Sequence, residues 1–507
     1  MMKTKKCFLI FAFILIFMLI MAMAMSCQTN QTETNKTVGD GEANLDPDSG
    51  SEEDTETAAT VKDSLPDDLD FNGETLTLHV RRDGTIAPNV FEFFVESEIG
   101  DIVNDIIYKR NKTVEERLNI KLNVVGEYGW EDYDKAVNQL RANIMAGDNS
   151  YDLIAGWSAR IPSLSVQGHL MNLYDVPYLD LSEPWWNQII TEELTINKKL
   201  NFAVGDGNSS ALAVCMVMFV NNSIQKDFSL PNIYDTVFEG KWTIDYMGDL
   251  IKNVTKDLNG DGVMDENDLF GAYITNYNQW DGFMQSSNIK MTKKDENGLP
   301  YLDVEYDKLA NLVDKVYSLV YENPGSYVKN GNKGEDFSSD MFKNNQVLFW
   351  PGMLVIAIER FRDMESDYSI IPYPKYDNFQ DQYYSRIQDG VSLFCVPSNC
   401  IKVEMVGAFM EAASSESYIN VSPAYFDVAM KLKYARDEAS AKMLDTIREG
   451  AYLNFAGIYN ESIGYPWHVM RQLMSDRSNK FASWYEKNGP KITLAIEKLI
   501  DKMEESD

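Results

Sequence analysis

Hydrophobic residues fall into three regimes along this 507-residue chain. From Phe8 to Met25 the sequence is unbroken apolar, whereas Gln28 to Pro66 holds hardly a bulky apolar side chain. After Asp70 the pattern becomes periodic. Thr75-Leu-Thr-Leu-His-Val80 alternates with period two and predicts a strand. Ile99, Val103, Ile106, Ile107, Val114 and Leu118 recur at helical spacing, and Ile120-Lys-Leu-Asn-Val-Val125 reads as a second strand. Asp132 to Ala146 predicts a helix closed by Gly147, since glycine tolerates the left-handed position just past a last turn. Tyr151-Asp-Leu-Ile-Ala-Gly156 is a third strand. Strand–helix–strand–helix–strand at this spacing predicts an α/β fold opening on a parallel, helix-covered sheet. Ligands of such sheets sit at the carboxyl ends of the strands, so Trp157-Ser158-Ala159-Arg160 is expected to face a cleft. No repeat of solenoid or propeller period occurs.

The first two regimes are addressing and spacing segments. Lys3, Lys5 and Lys6 precede the apolar run, and Ala24-Met25-Ser26-Cys27 closes it. A positive start, an apolar core and small residues before a cysteine describe a bacterial lipoprotein signal peptide over 1–26, with Cys27 as the lipidated residue. Ala24 stands where such signals usually carry leucine. The alternative is an uncleaved anchor helix, because 18 apolar residues lie at the lower limit for spanning a bilayer. Either way the rest of the chain is outside the cytoplasm. Between Gln28 and Pro66 ten acids face two lysines, a composition that cannot bury enough surface to offset chain entropy. Residues 27–66 are therefore expected to be a disordered acidic tether, with roughly 35 Å of reach if it behaves as a flexible coil.

Charge and cysteine content narrow the chemistry. The formal charge is −32, and the leader's three lysines leave −35 on the remainder. Phosphates would be repelled, so nucleic acid is excluded as a partner. Beyond Cys7 and Cys27 only Cys215, Cys395 and Cys400 remain, too few for a disulfide scaffold. The Cys395–Cys400 spacing permits a bridge, but the apolar strand Val391–Val396 favours buried thiols. His79, His169 and His468 are too scattered for a His-rich zinc site.

One local motif has metal-ligand spacing. Asp257-Leu-Asn259-Gly-Asp261-Gly262-Val263-Met-Asp265-Glu-Asn-Asp268 matches the calcium loop of EF-hands and dockerins, with oxygen donors at positions 1, 3, 5, 9 and 12. Calcium takes six to eight oxygens, and the Val263 carbonyl would add another. Asp268 replaces the usual bidentate glutamate. The competing reading is an Asp/Asn/Gly turn satisfied by water. A bound calcium would be structural rather than a switch.

Further landmarks follow in order: Leu69-Asp-Phe-Asn-Gly-Glu-Thr, Tyr108-Lys-Arg-Asn, Val114-Glu-Glu-Arg-Leu-Asn-Ile120, Gly168-His-Leu-Met-Asn-Leu-Tyr-Asp175, Phe219-Val-Asn-Asn222, Gly240-Lys-Trp-Thr243, Phe342-Lys-Asn-Asn-Gln-Val-Leu-Phe-Trp350, Ile371-Pro-Tyr-Pro-Lys375 and Tyr434-Ala-Arg-Asp437. In this order the chain resembles the extracellular solute-binding lipoproteins of bacterial ABC importers, of the large sugar-binding type. The resemblance implies a two-lobed periplasmic-binding-protein-like fold of type II, hinging shut on its solute. It places lobe 1 at 67–214 plus about 376–425 and lobe 2 at 215–375 plus about 426–507. Crossings are expected near Val214–Phe219, Tyr368–Pro374 and Val421–Met430. The implied partners are a sugar, an ABC permease and, through the lipid, a membrane; the protein is expected to be a monomer.

Sugars stack their C–H faces on aromatic rings and need fixed polar partners for their hydroxyls. Trp157, Trp280 and Trp350 stand where loops are expected to open onto the cleft, and Asp206, Asn208 and Gln388 are candidate hydroxyl partners. Trp185, Trp186 and Trp242 lie in amphipathic contexts and are assigned to the core. No nucleophile elbow, phosphate-binding loop or His-Glu-x-x-His pair occurs, so a non-enzymatic receptor is the preferred reading. A secreted carbohydrate-active enzyme and a surface glycan-adhesion lipoprotein are the alternatives.

Overall fold

The periodic part of the chain builds two separate sheets, each fed by segments distant in sequence. A computed structural model describes residues 62–82, 92–274, 277–328, 338–431 and 438–505. The leader, Cys27 and the tether up to residue 61 lie outside the described residues, as does the Tyr434–Asp437 landmark.

In the first sheet β1 (Glu74–Arg82) lies between β2 (Ile120–Tyr128) and β3 (Leu153–Trp157), parallel to both. β13 (Ser392–Cys395) closes the order β13-β3-β1-β2 and runs antiparallel to β3. Every residue of β3 is buried, which is why it reads as a continuous apolar run rather than an alternating one. Helix α1 (Ile102–Leu118) follows β1. Its N-cap Asp101 accepts a hydrogen bond from the Asn104 N–H, and Asn119 ends it in the left-handed conformation. The buried stripe of Val103, Ile107, Val114 and Leu118 faces the core, each such side chain contributing about 1.5–3 kcal/mol. Helix α2 (Gly129–Met145) carries the chain from β2 to β3.

The second sheet has the order β11 (Tyr368–Ile371), β4 (Met216–Asn221), β10 (Val347–Met353), β6 (Leu269–Tyr273), β5 (Thr255–Lys256), with β9 (Ser326–Tyr327) also on β6. β4 is antiparallel to both its neighbours, while β10 and β6 are parallel. Short ladders join β7 (Thr292–Lys294) to β8 (Pro300–Leu302) and β12 (Ser385–Arg386) to β14 (Ala451–Tyr452).

The chain passes from the first sheet to the second ahead of β4, and back between β11 and β13. These two passages run side by side, since Cys215 bridges to Ile387 and the Gln388 N–H donates to the Val214 carbonyl. The helix Ser422–Lys431 packs on α1 and on the helix Val355–Glu359 that follows β10, so it touches the cover of both sheets. The helices used below are α3 (Tyr277–Ser286), α4 (Tyr306–Tyr317), α5 (Val403–Glu416), α6 (Glu438–Glu449), α7 (Val469–Ser475) and α8 (Phe481–Glu505). α5 packs on α1, and α8 packs on α4 and β8. The architecture is the type II, two-lobed α/β arrangement. Among the described residues no helix is long and apolar enough to cross a membrane.

Two local expectations change. Residues 62–66, expected within the tether, are held on the first lobe: Asp63 accepts two charge-assisted hydrogen bonds from Arg117, and Leu65 is buried. Composition alone hid this, because Arg117 is 54 positions away. Pro351-Gly352, expected to open a loop after Trp350, instead continue β10 to Met353. Cys215, Cys395 and Cys400 are buried free thiols, as the apolar strand implied.

Candidate functional site

The carboxyl end of β3 meets the returning passage at Asp389. Trp157 Nε1–H and Ser158 Oγ–H both donate to the Asp389 carbonyl, at 2.5 and 2.8 Å. The Trp157 N–H donates to Tyr133 Oη at 2.7 Å, and the guanidiniums of Arg81 and Arg160 lie 4.7 and 5.2 Å from the indole centroid. Trp157 is therefore 2% exposed, clamped between its neighbours rather than open to solvent. Gln388 accepts from the Gly390 N–H at 2.6 Å and donates to the Asp389 carboxylate, fixing the same turn.

Helix α3 enters this region from the second sheet, directly after β6. Gln279 donates to the Pro351 carbonyl at 2.7 Å, tying α3 to the end of β10. Two residues on, the fully buried Asp281 faces two guanidiniums: Arg471 of α7, and Arg386 of β12 at 3.5 Å. Burial raises the Asp281 pKa, and the two arginines oppose that shift. Burial likewise lowers the pKa of Arg386, with Asp281 pulling the other way. Trp280, beside Asp281, is 5% exposed.

Beside these groups lies a cavity of about 20 Å³ whose lining includes Ser158, Gln285 of α3, Arg386, Asp389, Asn454, Trp467 and His468. Such a space holds roughly one water and is too small for a solute ring as it stands. His468 Nε2 faces the Asn460 amide nitrogen at 2.9 Å, and the Asn460 carbonyl oxygen accepts from the Trp467 N–H at 3.0 Å. Burial and the two nearby arginines push the His468 pKa down to about 4, so the ring is neutral at pH 7.

Ile387 also lines a second, larger groove of about 390 Å³. Asp206 and Asn208 belong to its wall. Asp206 is paired with Arg448 of α6 at 2.9 Å and accepts from Ser422. Asn208 is buried, accepts from the Gly205 N–H and donates to the Ser392 carbonyl at 3.3 Å. The guanidinium of Arg448 also covers the Tyr418 ring at 4.8 Å. Trp185 and Trp186, assigned to the core from sequence, are buried but also line this groove, and they donate their indole N–H groups to Glu411.

Of the sequence-derived candidates, Trp157 and Gln388 come together at Asp389, Trp280 lies on the adjoining helix, and Asp206 and Asn208 line the outer groove. Trp350 lies apart, 1% exposed in mid-strand among Phe219, Phe342 and Phe361. Sequence reasoning passed over Arg386, Asn454, His468 and Arg471. Trp467-His468 after the Gly464-Tyr465-Pro466 turn was a legible signal; Arg386 and Arg471 acquire meaning only through Asp281.

The loop Asp257–Asp268 joins β5 to β6. Asp257 accepts from the Gly260 and Gly262 N–H groups, Asn259 from Asp261, Asp261 from Val263, and Asp265 from Asn267. Both oxygens of the buried Asp268 accept backbone N–H groups, which hold its pKa below the usual range. Among the described residues, no three His, Cys, Asp or Glu side chains are grouped to hold a metal ion.

Residues 110–423 match the family model of the bacterial extracellular solute-binding protein. The chain belongs to that family. It is a family of binding proteins, and membership puts this solute-binding protein outside the cytoplasm. Its fold is similar to that of a sugar transporter protein of Rhizobium etli in an open conformation, with a TM-score of 0.53 and 14% identity over 83% of this chain and 99% of that one. It is also similar to UspC of M. tuberculosis, with a TM-score of 0.52 and 12% identity over 83% of this chain and 100% of that one. No curated protein matches the chain.

Proposed function

We propose that this solute-binding protein captures a carbohydrate, an oligosaccharide in preference to a single ring, between its lobes and delivers it to an ABC permease. The observation that carries the reading is the Asp389 turn. There the carboxyl end of β3 in one lobe, α3 of the other and the passage between them converge on a cavity with fixed polar and aromatic walls. Sugar recognition requires those two kinds of wall together. The fold shared with the Rhizobium etli sugar transporter supports the same ligand class. Ile387 lines both cavity and groove, so the two lie side by side, and the groove supplies room for more than one ring. Cys27, lipidated, would tether the receptor beside its permease, where the solute is handed over as the lobes reopen. Calcium in the Asp257–Asp268 loop is an accessory part of the proposal, supported by donor spacing and requiring carboxylates to turn from backbone N–H groups to the ion.

The test is a thermal-shift screen over mono- and oligosaccharides with product analysis. A saturable rise in melting temperature without product is expected for one of them. Turnover of that sugar, abolished by changing one carboxylate, would overturn the receptor reading.

A further inference from the structure

Two buried donors beside the inter-lobe cavity have no partner among the described residues: Arg386 Nη1 and Asn454 Nδ2. Both residues line the cavity, and they are 5% and 3% exposed. The sense of the Asn454 amide is fixed, because its carbonyl oxygen accepts from the Gly457 N–H at 2.8 Å as the cap of the helix Phe455–Ile458. Its NH2 group is therefore the free end. A buried donor left unmade costs free energy, and proteins keep such groups chiefly where a ligand completes them.

Charge sharpens what would complete them. Asp281 is shared between Arg386 and Arg471, so the buried cluster holds two guanidiniums against one carboxylate. Asp281 Oδ1 is also unpartnered, but Asp281 does not line the cavity. Asp389 does line it and opposes this excess, yet it is half-buried and already accepts from Gln388. His468, neutral with its Nε2 facing an N–H donor, carries its proton on Nδ1 and adds no negative charge. A hydroxyl could accept from both free N–H groups, but it would leave Arg386 Nη1, which neither Asp281 nor Asp389 reaches, without an anionic partner. A carboxylate accepts both and supplies that charge.

We infer that the inter-lobe site takes a sugar bearing a carboxylate, a uronate, whose carboxylate is held by Arg386 Nη1 and Asn454 Nδ2. The inference rests on the sugar-capture reading and narrows its substrate class. The groups come within reach as the cleft opens to admit the ring and closes on it.

Isothermal titration calorimetry on the mature protein, with oligogalacturonate, oligomannuronate and oligoglucuronate against their carboxyl-reduced counterparts, tests it. At least one acidic member is expected to bind about tenfold or more tightly than its neutral twin, with the preference shrinking as salt rises. Asn454→Asp keeps the cap on Gly457 while replacing the inward N–H by an anionic oxygen, and should abolish the preference. Arg386→Lys keeps the charge but not the fork, and should weaken acid binding less than Arg386→Gln does. Neutral sugars binding as tightly as their acidic twins would overturn the uronate assignment and leave sugar capture standing. If none of these compounds binds, the assignment fails, and if the wider neutral screen is also silent, sugar capture fails with it.

Discussion

Glu411 should make the stability of the first lobe depend on pH near neutrality. Its side chain on α5 is fully buried, with one oxygen accepting from Trp185 Nε1 at 3.1 Å and the other from Trp186 Nε1 at 3.1 Å and the Asp180 N–H at 3.3 Å. Burial raises its pKa from 4.5 to about 7, outweighing these three donors. A folded-state pKa above the unfolded value means that the folded protein holds the proton more tightly. The stabilisation is therefore complete below about pH 4.5 and is lost as pH rises through about 7. At 1.36 kcal/mol per pH unit, the whole loss is roughly 3 kcal/mol. Glu411→Gln removes the titration but turns an amide N–H toward an indole N–H, at a cost of about 1–3 kcal/mol at every pH. Urea unfolding of both proteins at pH 5, 6, 7 and 8 isolates the effect, because other titrating groups cancel in the difference. The variant should be the less stable at pH 5, and the gap should shift in its favour by about 2–3 kcal/mol by pH 8. A difference constant to within about 0.5 kcal/mol across that range would refute the reasoning, since no buried carboxyl would then be titrating.

Asp63→Ala, in the full chain, should lower unfolding stability by about 1.5–3 kcal/mol, because it strands the Arg117 guanidinium and loosens the buried Leu65. An unchanged urea midpoint would return residues 62–66 to the tether. Calcium added to chelator-treated protein should raise the melting temperature, with a stabilisation of about 2.7 kcal/mol at a hundred times the dissociation constant, and Asp257→Ala should abolish the response. A melting temperature indifferent to millimolar calcium would leave the Asp257–Asp268 loop as a self-satisfied turn.

Local pattern was enough for the elements around the first sheet. Alternation from Thr75 and the helical stripe through Leu118 depend on side chains facing one way, which neighbours in sequence determine. The three-strand parallel opening followed from that spacing. The site was legible only where a local feature marked it, as Trp157 does at the end of a buried strand. Trp350 sits in an equally plausible sequence context, yet Phe219, Phe342 and Phe361 enclose it, and those come from other strands and helices. Tertiary structure alone decided the electrostatics. Asp281, Arg386 and Arg471 are 85 to 190 residues apart, and the cost of burying a charge is set by what else the fold buries beside it. Sequence determined the strands and helices around the first sheet, because those preferences are local. Folding decided which tryptophans are walls and which are core, and which arginine is left facing the cleft, because burial and charge compensation depend on chain segments that meet only in three dimensions.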